Sequence, residues 1–290
     1  MTQKDPDSLS YPSDDWKSTR IENAAPDLFD PEQPRLGRRE SEPHSMEVTY
    51  LYDVLTTNFP EGRALWDLHH YFIPSKGALK GTRMDLQLDI SFFKELDVPV
   101  ALPSYDAIMH EGKIPDICIN VLSKSTWRAD LSEHVDACRD LSVPVYVVFS
   151  PYNIASKRYA PPFLRAYVLQ EDGTYKEEEL RSITVEEGGS IDDSKVIDIS
   201  DNLPFRLGLM QLKKQFLGGA PLFRLILLDP LKKLILPTRR EKEVNEVKKE
   251  AEQAKKETEQ SKKVLEVKEK NIKEKDNIIA DLKKQLETKK

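Results

Sequence analysis

The sequence predicts an α/β domain followed by a long C-terminal helix. Runs rich in Val and Ile alternate with segments of helical periodicity, and a strand, a helix and a strand follow one another at 116–122, 130–141 and 143–149. Residues 238–290 contain neither Pro nor Gly and repeat apolar residues in heptads. We therefore expect one sheet-based domain and, after it, a coiled coil.

Bulk composition limits the classes of protein to consider. The chain has 290 residues, a formal net charge of −6 at pH 7 and 32% charged residues, so part of it should lie outside a packed core. The acidic balance does not favour general binding to nucleic acid. We find no signal-peptide pattern and no run near 18 apolar residues, so we expect a cytoplasmic protein without a membrane partner. Cys118 and Cys138 are expected to be buried thiols.

The N-terminal part divides into a polar tail and a first helix. Residues 1–45 are rich in Pro, Ser, Asp and Glu, and we expect them to be disordered. A helix is predicted from residue 46 to about Pro60, because apolar residues recur there at helical spacing. These residues are Val48, Leu51, Tyr52, Val54 and Leu55. Residues 64–73 fit either a second helix or a strand.

Two strands are predicted in the middle of the chain. Residues 83–93 alternate between apolar and polar and predict a half-buried strand, with Asp85 and Asp89 on one face. Residues 116–122, entered through Pro115, predict a buried strand. We expect the two strands to be neighbours joined by a long loop.

A polar loop, a helix and a central strand follow. Serine and threonine side chains within 123–126 are expected to stabilise the loop by hydrogen bonds. Asp130 is predicted to cap a helix over 130–141, with Glu133 completing a capping box. Residues 143–149 are nearly all apolar, which is typical of a strand covered on both faces.

Three further β-type segments are expected, at 164–169, 175–180 and 196–199. An Asp-Gly turn at 172–173 joins the first two into a hairpin. Residues 221–237 contain the turn signal Asp229-Pro230 and predict a small β-hairpin that connects the α/β domain, 46–220, to the C-terminal helix.

The C-terminal region, 238–290, predicts a coiled coil of about seven heptads. The a positions are Val244, Ala251, Thr258, Leu265, Ile272, Ile279 and Leu286, and the d positions are Val247, Ala254, Ser261, Lys268, Lys275 and Leu282. Small residues upstream and two lysines at d make the seam weak. A homo-oligomer is the expected assembly, and a single charged helix stabilised by i,i+4 pairs is the alternative.

The stretch Pro115-Asp-Ile-Cys-Ile-Asn-Val-Leu-Ser-Lys-Ser-Thr126, followed by Asp130 and a helix, resembles the restriction-endonuclease domains of the Uma-two family. That family belongs to the PD-(D/E)XK nuclease superfamily. The resemblance is clearest from Arg83 to Pro151 and fades towards Pro237. It implies a restriction-endonuclease-like mixed sheet with flanking helices, and Mg²⁺-dependent hydrolysis of DNA phosphodiester bonds.

The resemblance also assigns a site. In the family, an Asp on one strand and a Glu on the next hold the metal, and a Lys on the following helix assists. The matching positions are Asp89, Asn120 and His134, with Asp89 and Asn120 as the metal ligands. Only Asp89 keeps the residue type of the family, because Asn120 is neutral and His134 carries at most a fractional charge near neutral pH. Asp85 and Asp116 are alternative sources of a second carboxylate.

Two functions follow from these observations. The first is a metal-dependent endonuclease acting on DNA, with a divergent metal site. The second is a catalytically inactive domain with a nuclease-type fold that serves as a binding or assembly module and is oligomerised by the coiled coil. An endonuclease should bring Asp89, Asn120 and His134 together in one pocket, with Lys124 and Arg128 at its rim. The missing Glu and the acidic balance favour the second function.

Overall fold

A computed structural model describes residues 41–154, 157–215 and 217–287, so most of the predicted tail, residues 1–40, lies outside the described residues. The described chain divides into two compact units, with the boundary between residues 236 and 237. The first unit is a mixed α/β domain with helices flanking a sheet, and the second contains one long helix, which confirms the predicted fold class.

The helices are α1 (Glu42–Asn58), α2 (Trp127–Asp130), α3 (Glu133–Leu141) and α4 (Arg239–Glu287). The strands are β1 (Arg63–Phe72), β2 (Met84–Phe93), β3 (Tyr105–Asp106), β4 (Ile117–Val121), β5 (Val145–Phe149), β6 (Leu164–Leu169), β7 (Tyr175–Leu180), β8 (Val185–Glu186), β9 (Arg206–Gln215) and β10 (Pro221–Leu228). Short 3₁₀ turns occupy Ala107–His110, Lys157–Tyr159 and Leu217–Gly219. No helix in these described ranges combines the length and hydropathy needed to cross a membrane.

Helix α1 begins four residues earlier than its apolar pattern suggested. The predicted limit of the disordered tail, residue 45, therefore falls inside the helix. Glu42 and Pro43 occupy the first turn, where a carboxylate and a proline are both favoured. The helix ends as predicted, with the N–H of Phe59 donating to the Leu55 carbonyl at 2.9 Å just before Pro60.

Seven strands form one sheet in the order β3-β1-β2-β4-β5-β6-β7. Residues 64–73, which fitted either element, are mostly strand β1, and it pairs antiparallel with β2. Strands β2 and β4 are antiparallel neighbours, as expected, and β4 pairs in parallel with β5 through the α2–α3 connection. Strands β6 and β7 form the hairpin predicted from the Asp-Gly turn.

A second, three-stranded sheet has the order β10-β9-β8. Strand β10 pairs along most of its length with the ten-residue strand β9. The predicted C-terminal hairpin is short: Leu228 and Ile235 form an antiparallel bridge, and the N–H groups of Asp229 and Leu236 donate to the carbonyls of Leu234 and Leu227, both at 2.8 Å. Residues 196–199 likewise make one bridge, between Ile197 and Leu207, instead of a strand.

Both faces of the seven-stranded sheet are covered. From β4, Ile117, Ile119 and Val121 enter a core shared with α1 and the second sheet. Cys118 and Leu122 enter the opposite core, which includes α3. Alternate side chains of β4 therefore enter opposite cores, as predicted. Both cysteines are free and buried.

One buried ion pair ties α1 to the second sheet. The Arg224 guanidinium on β10 lies 3.1 Å from Glu47 Oε1 and 4.0 Å from the centre of the Tyr50 ring. Burial of Glu47 outweighs the attraction of Arg224 and raises the pKa of the Glu47 carboxyl to about 7. Part of the Glu47 population therefore carries a proton at neutral pH.

The two edges of the large sheet differ from its centre. Strand β3, at one edge, contains only two residues. Strand β7, at the other edge, is mostly charged: Lys176 and Glu178 pair on it at 2.7 Å, and Glu177 and Glu179 both lie near Arg165.

Helix α4 is 49 residues long and begins with a reciprocal capping box. The N–H of Thr238 donates to Glu241 Oε2 at 2.8 Å, and the N–H of Glu241 donates to Thr238 Oγ1 at 3.3 Å. At 1.5 Å per residue the helix is roughly 74 Å long. Its heptad residues Val244, Leu265 and Ile279 are exposed in the single chain.

Candidate functional site

The candidate site lies where strands β2 and β4 diverge. Their ladder includes the pairs Ile90–Ile119 and Ser91–Cys118 and does not continue to Asp89. Beyond it, the N–H of Asp89 donates to Asn120 Oδ1 at 3.3 Å, and the N–H of Val121 donates to Asp89 Oδ2 at 2.7 Å. The side-chain oxygens of Asp89 and Asn120 thus accept backbone N–H groups of the opposite strand, as backbone carbonyls do in a continuous ladder.

The amide nitrogen of Asn120 faces helices α2 and α3. Its Nδ2 donates to Asp130 Oδ1 at 2.8 Å and lies 3.1 Å from His134 Nδ1. Asn120 and Asp130 are each only 2% exposed, so these bonds are formed away from bulk water. Both ends of the amide are engaged, as a buried amide requires.

His134 Nδ1 has two neighbours that call for opposite roles. It can accept from Asn120 Nδ2, or it can donate to Asp130 Oδ1, which also lies at 3.1 Å. Burial lowers the pKa of His134, but the hydrogen bond to Asp130 and the charges of Asp130 and Asp89 raise it more, so the net shift is upward. The raised pKa favours a proton on Nδ1 that is donated to Asp130.

His44, on α1, completes the network from the other side. Its Nε2 lies 3.2 Å from Asp89 Oδ2. Burial raises the pKa of Asp89 to about 6, although His44 and the N–H of Val121 oppose the shift and Asp130 adds to it. The chain of contacts therefore runs from His44 through Asp89 and Asn120 to Asp130 and His134.

The structure brings the three predicted residues, Asp89, Asn120 and His134, into one network. It adds two residues that the sequence did not assign to it. Asp130 is the last residue of α2 and does not cap α3, whose N-cap is Ser132. The carboxylate of Asp130 contacts Asn120 instead. The spacing of Asp130 four residues before His134 was the available signal. His44 was assigned to the tail, and the Glu-Pro pair before it was the sign of a helix start.

The alternative carboxylates lie outside this network. Asp85 contacts His69 Nδ1 at 2.9 Å, and Asp116 accepts from the N–H of Lys94 at 2.7 Å. Lys124 is exposed and Arg128 stacks on its neighbour Trp127 at 4.5 Å.

The loop after β4 is stabilised by side chains, as predicted. Ser123 Oγ lies 2.8 Å from Thr126 Oγ1 and 3.1 Å from Ser125 Oγ. These hydrogen bonds stabilise the connection from β4 to the helices that carry Asp130 and His134.

The arrangement does not fit a Mg²⁺ site. Magnesium needs hard oxygen ligands that converge on one point. Here Asp89 Oδ2 and Asn120 Oδ1 face backbone N–H groups, and Asn120 turns a nitrogen, not an oxygen, towards Asp130. In the part of the chain that the structure describes, no group of three or more His, Cys, Asp or Glu side chains is placed to hold a metal ion.

Comparison with solved structures gives matches of low identity. The chain is similar to a protein from Anabaena variabilis ATCC 29413 that is described as a putative nuclease belonging to DUF820, at 14% identity and a TM-score of 0.36. The match covers 50% of this chain and 70% of that chain. No family model matches the sequence, and no curated protein matches it. At this TM-score the likeness carries no argument about function.

Proposed function

We propose that the α/β domain is a catalytically inactive binding or assembly module, and that α4 joins copies of the chain. The observation that carries this proposal is the state of Asn120. Its amide occupies the position expected for the metal-binding Glu, and both of its ends are hydrogen-bonded inside the protein. An amide engaged in this way links β2 and β4 where their ladder ends and brings no negative charge to attract a metal ion.

Self-association is supported by the exposed apolar residues of α4. Leu265, Ile272 and Ile279 are 59%, 58% and 50% exposed in the single chain and recur every seventh residue. A helix with such a stripe buries it by packing against another helix. The partner that presents a matching stripe of the same length is a second copy of this chain.

The alternative function is a divergent endonuclease acting on DNA. Two observations favour it. Asp89, Asn120 and His134 lie together, as expected of an endonuclease, and within the described residues Asp130 Oδ2 is buried without a hydrogen-bond partner. Asp130 would then replace the missing Glu. The cleavage assay below separates the two functions.

We expect the wild type to show no Mg²⁺- or Mn²⁺-dependent nicking of supercoiled plasmid above the level of Asp89→Ala, because Asn120 supplies no charged oxygen and Asp89 Oδ2 accepts a backbone N–H. The assay includes Asn120→Glu, which reports whether one carboxylate restores a metal site. Asp85→Ala is the matched control, since Asp85 is a carboxylate on the same strand outside the network. Nicking by wild type and Asp85→Ala that disappears in Asp89→Ala would overturn the proposal of an inactive domain and support the endonuclease.

A further inference from the structure

Charges beside the apolar stripe of α4 are sorted by heptad position. With Val244 at a, the first three g positions are all glutamate, and the three e positions that follow Val244 are all lysine. The glutamates are Glu243, Glu250 and Glu257, and the lysines are Lys248, Lys255 and Lys262. These positions flank the seam of a coiled coil and determine which helices pair and in which orientation.

In a parallel two-stranded coil, each g residue lies opposite the e residue of the following heptad on the partner helix. Glu243, Glu250 and Glu257 then each face a lysine of a second copy, which gives six pairs of opposite charge across the two symmetric sides. We infer that α4 pairs with α4 of a second copy of this chain in parallel and in register. This inference rests on the proposed self-association and adds its partner and orientation.

The C-terminal half is consistent with the same arrangement. There the a positions carry large apolar residues, while Lys268 and Lys275 occupy d. Each of these lysines is followed at e by an acidic residue, Glu269 and Asp276, whereas the three e positions from 248 to 262 are lysines. Because d lies beside e of the partner in a parallel coil, each core lysine has a carboxylate of the second copy next to it.

An antiparallel pair makes a different use of the same charges. It brings e against e and g against g. With the helices fully overlapped, the lysines at e meet a mixture of acidic and basic residues, and none of the three glutamates at g meets a cation. Lys268 and Lys275 meet their own copies in the parallel coil and not in the antiparallel one, so these two lysines disfavour the parallel form. The charges at e and g are what favour it. The glutamates at g therefore distinguish the two orientations.

The first test measures the dimer dissociation constant of the full chain by sedimentation equilibrium. For Glu250→Lys/Glu257→Lys we expect Kd to rise about 30-fold, because four attractive pairs become repulsive. Mixing this variant with Lys255→Glu/Lys262→Glu should restore association as a heterodimer. The matched control is Glu252→Lys/Glu259→Lys, which makes the same change at b, away from the seam. An unchanged Kd for the g variant would overturn the parallel orientation.

The second test uses disulfide trapping in the full chain with oxidised glutathione. Val247→Cys alone should form a covalent dimer, since residue 247 meets its own copy in a parallel coil. In an antiparallel coil residue 247 meets residue 279, so a covalent dimer that appears only when Val247→Cys is mixed with Ile279→Cys overturns the orientation. Wild type under the same conditions controls for the native thiols. A wild type that sediments as a monomer, with no cross-link in any variant, would instead overturn the proposed self-association.

Discussion

Asn120→Asp is expected to lower the free energy of unfolding by about 3 kcal/mol at pH 8, since it places a second carboxylate against Asp130 in a buried site. The new carboxylate still accepts from the N–H of Asp89. Its second oxygen, however, replaces the Nδ2 that lies 2.8 Å from Asp130 Oδ1, so an attraction becomes a repulsion in a site that is 2% exposed. Two carboxylates that share a site cannot both ionise without cost.

The penalty should be smaller at pH 5 than at pH 8. The crowded carboxyl groups in the folded variant have raised pKa values, so the folded state binds a proton that the unfolded chain has released at the same pH. Stability that depends on such a proton is present at low pH and is lost as pH rises through the folded pKa. Urea unfolding of wild type and variant at both pH values measures the difference. The exposed Asn153→Asp is the control, and a loss that is equal at both pH values would contradict the network.

Arg224→Met is expected to cost about 3 kcal/mol at pH 8, because it removes the partner of buried Glu47. Adding Glu47→Gln to this variant should recover most of the loss, since no buried charge then remains. If the double variant is no more stable than Arg224→Met alone, the loss comes from the packing of Arg224 on the Tyr50 ring, at 4.0 Å, instead of from the charge.

The same ion pair predicts a pH dependence for the wild type. The pKa of Glu47 is raised from 4.5 to about 7, so between these values the folded state holds a proton that the unfolded chain does not. The contribution of Glu47 to stability therefore falls as pH rises from 4.5 to 7, by about 3 kcal/mol in total. Urea unfolding at several pH values should show this slope in the wild type and not in Glu47→Gln. Parallel profiles for the two proteins would contradict a raised pKa.

Much of the fold was predictable because its elements follow local sequence patterns. The alternation over 83–93, the apolar run over 143–149 and the Asp-Gly turn at 172–173 each appear as strands or a hairpin at those places. The coming together of Asp89 and Asn120 was also predictable, since the two strands that carry them are neighbours.

The remaining features were not predicted. The pairing of β10 with β9 is a local hairpin, since only five residues separate the two strands, and it was missed because the predicted boundary at residue 220 fell between them. The role of Asp130 was missed because a helix-capping residue and a buried hydrogen-bond acceptor look alike in sequence. His44 was missed since its helix begins inside a polar segment whose composition is typical of disorder.

The charged edge strand β7 has a consequence for an assembly built through α4. Linked copies hold their α/β domains at a high effective concentration, where an open sheet edge would capture strands from neighbouring copies. A strand added beside Lys176, Glu177, Glu178 and Glu179 would have to displace their water and disrupt their ion pairs. The edge would therefore resist strand capture in the proposed assembly.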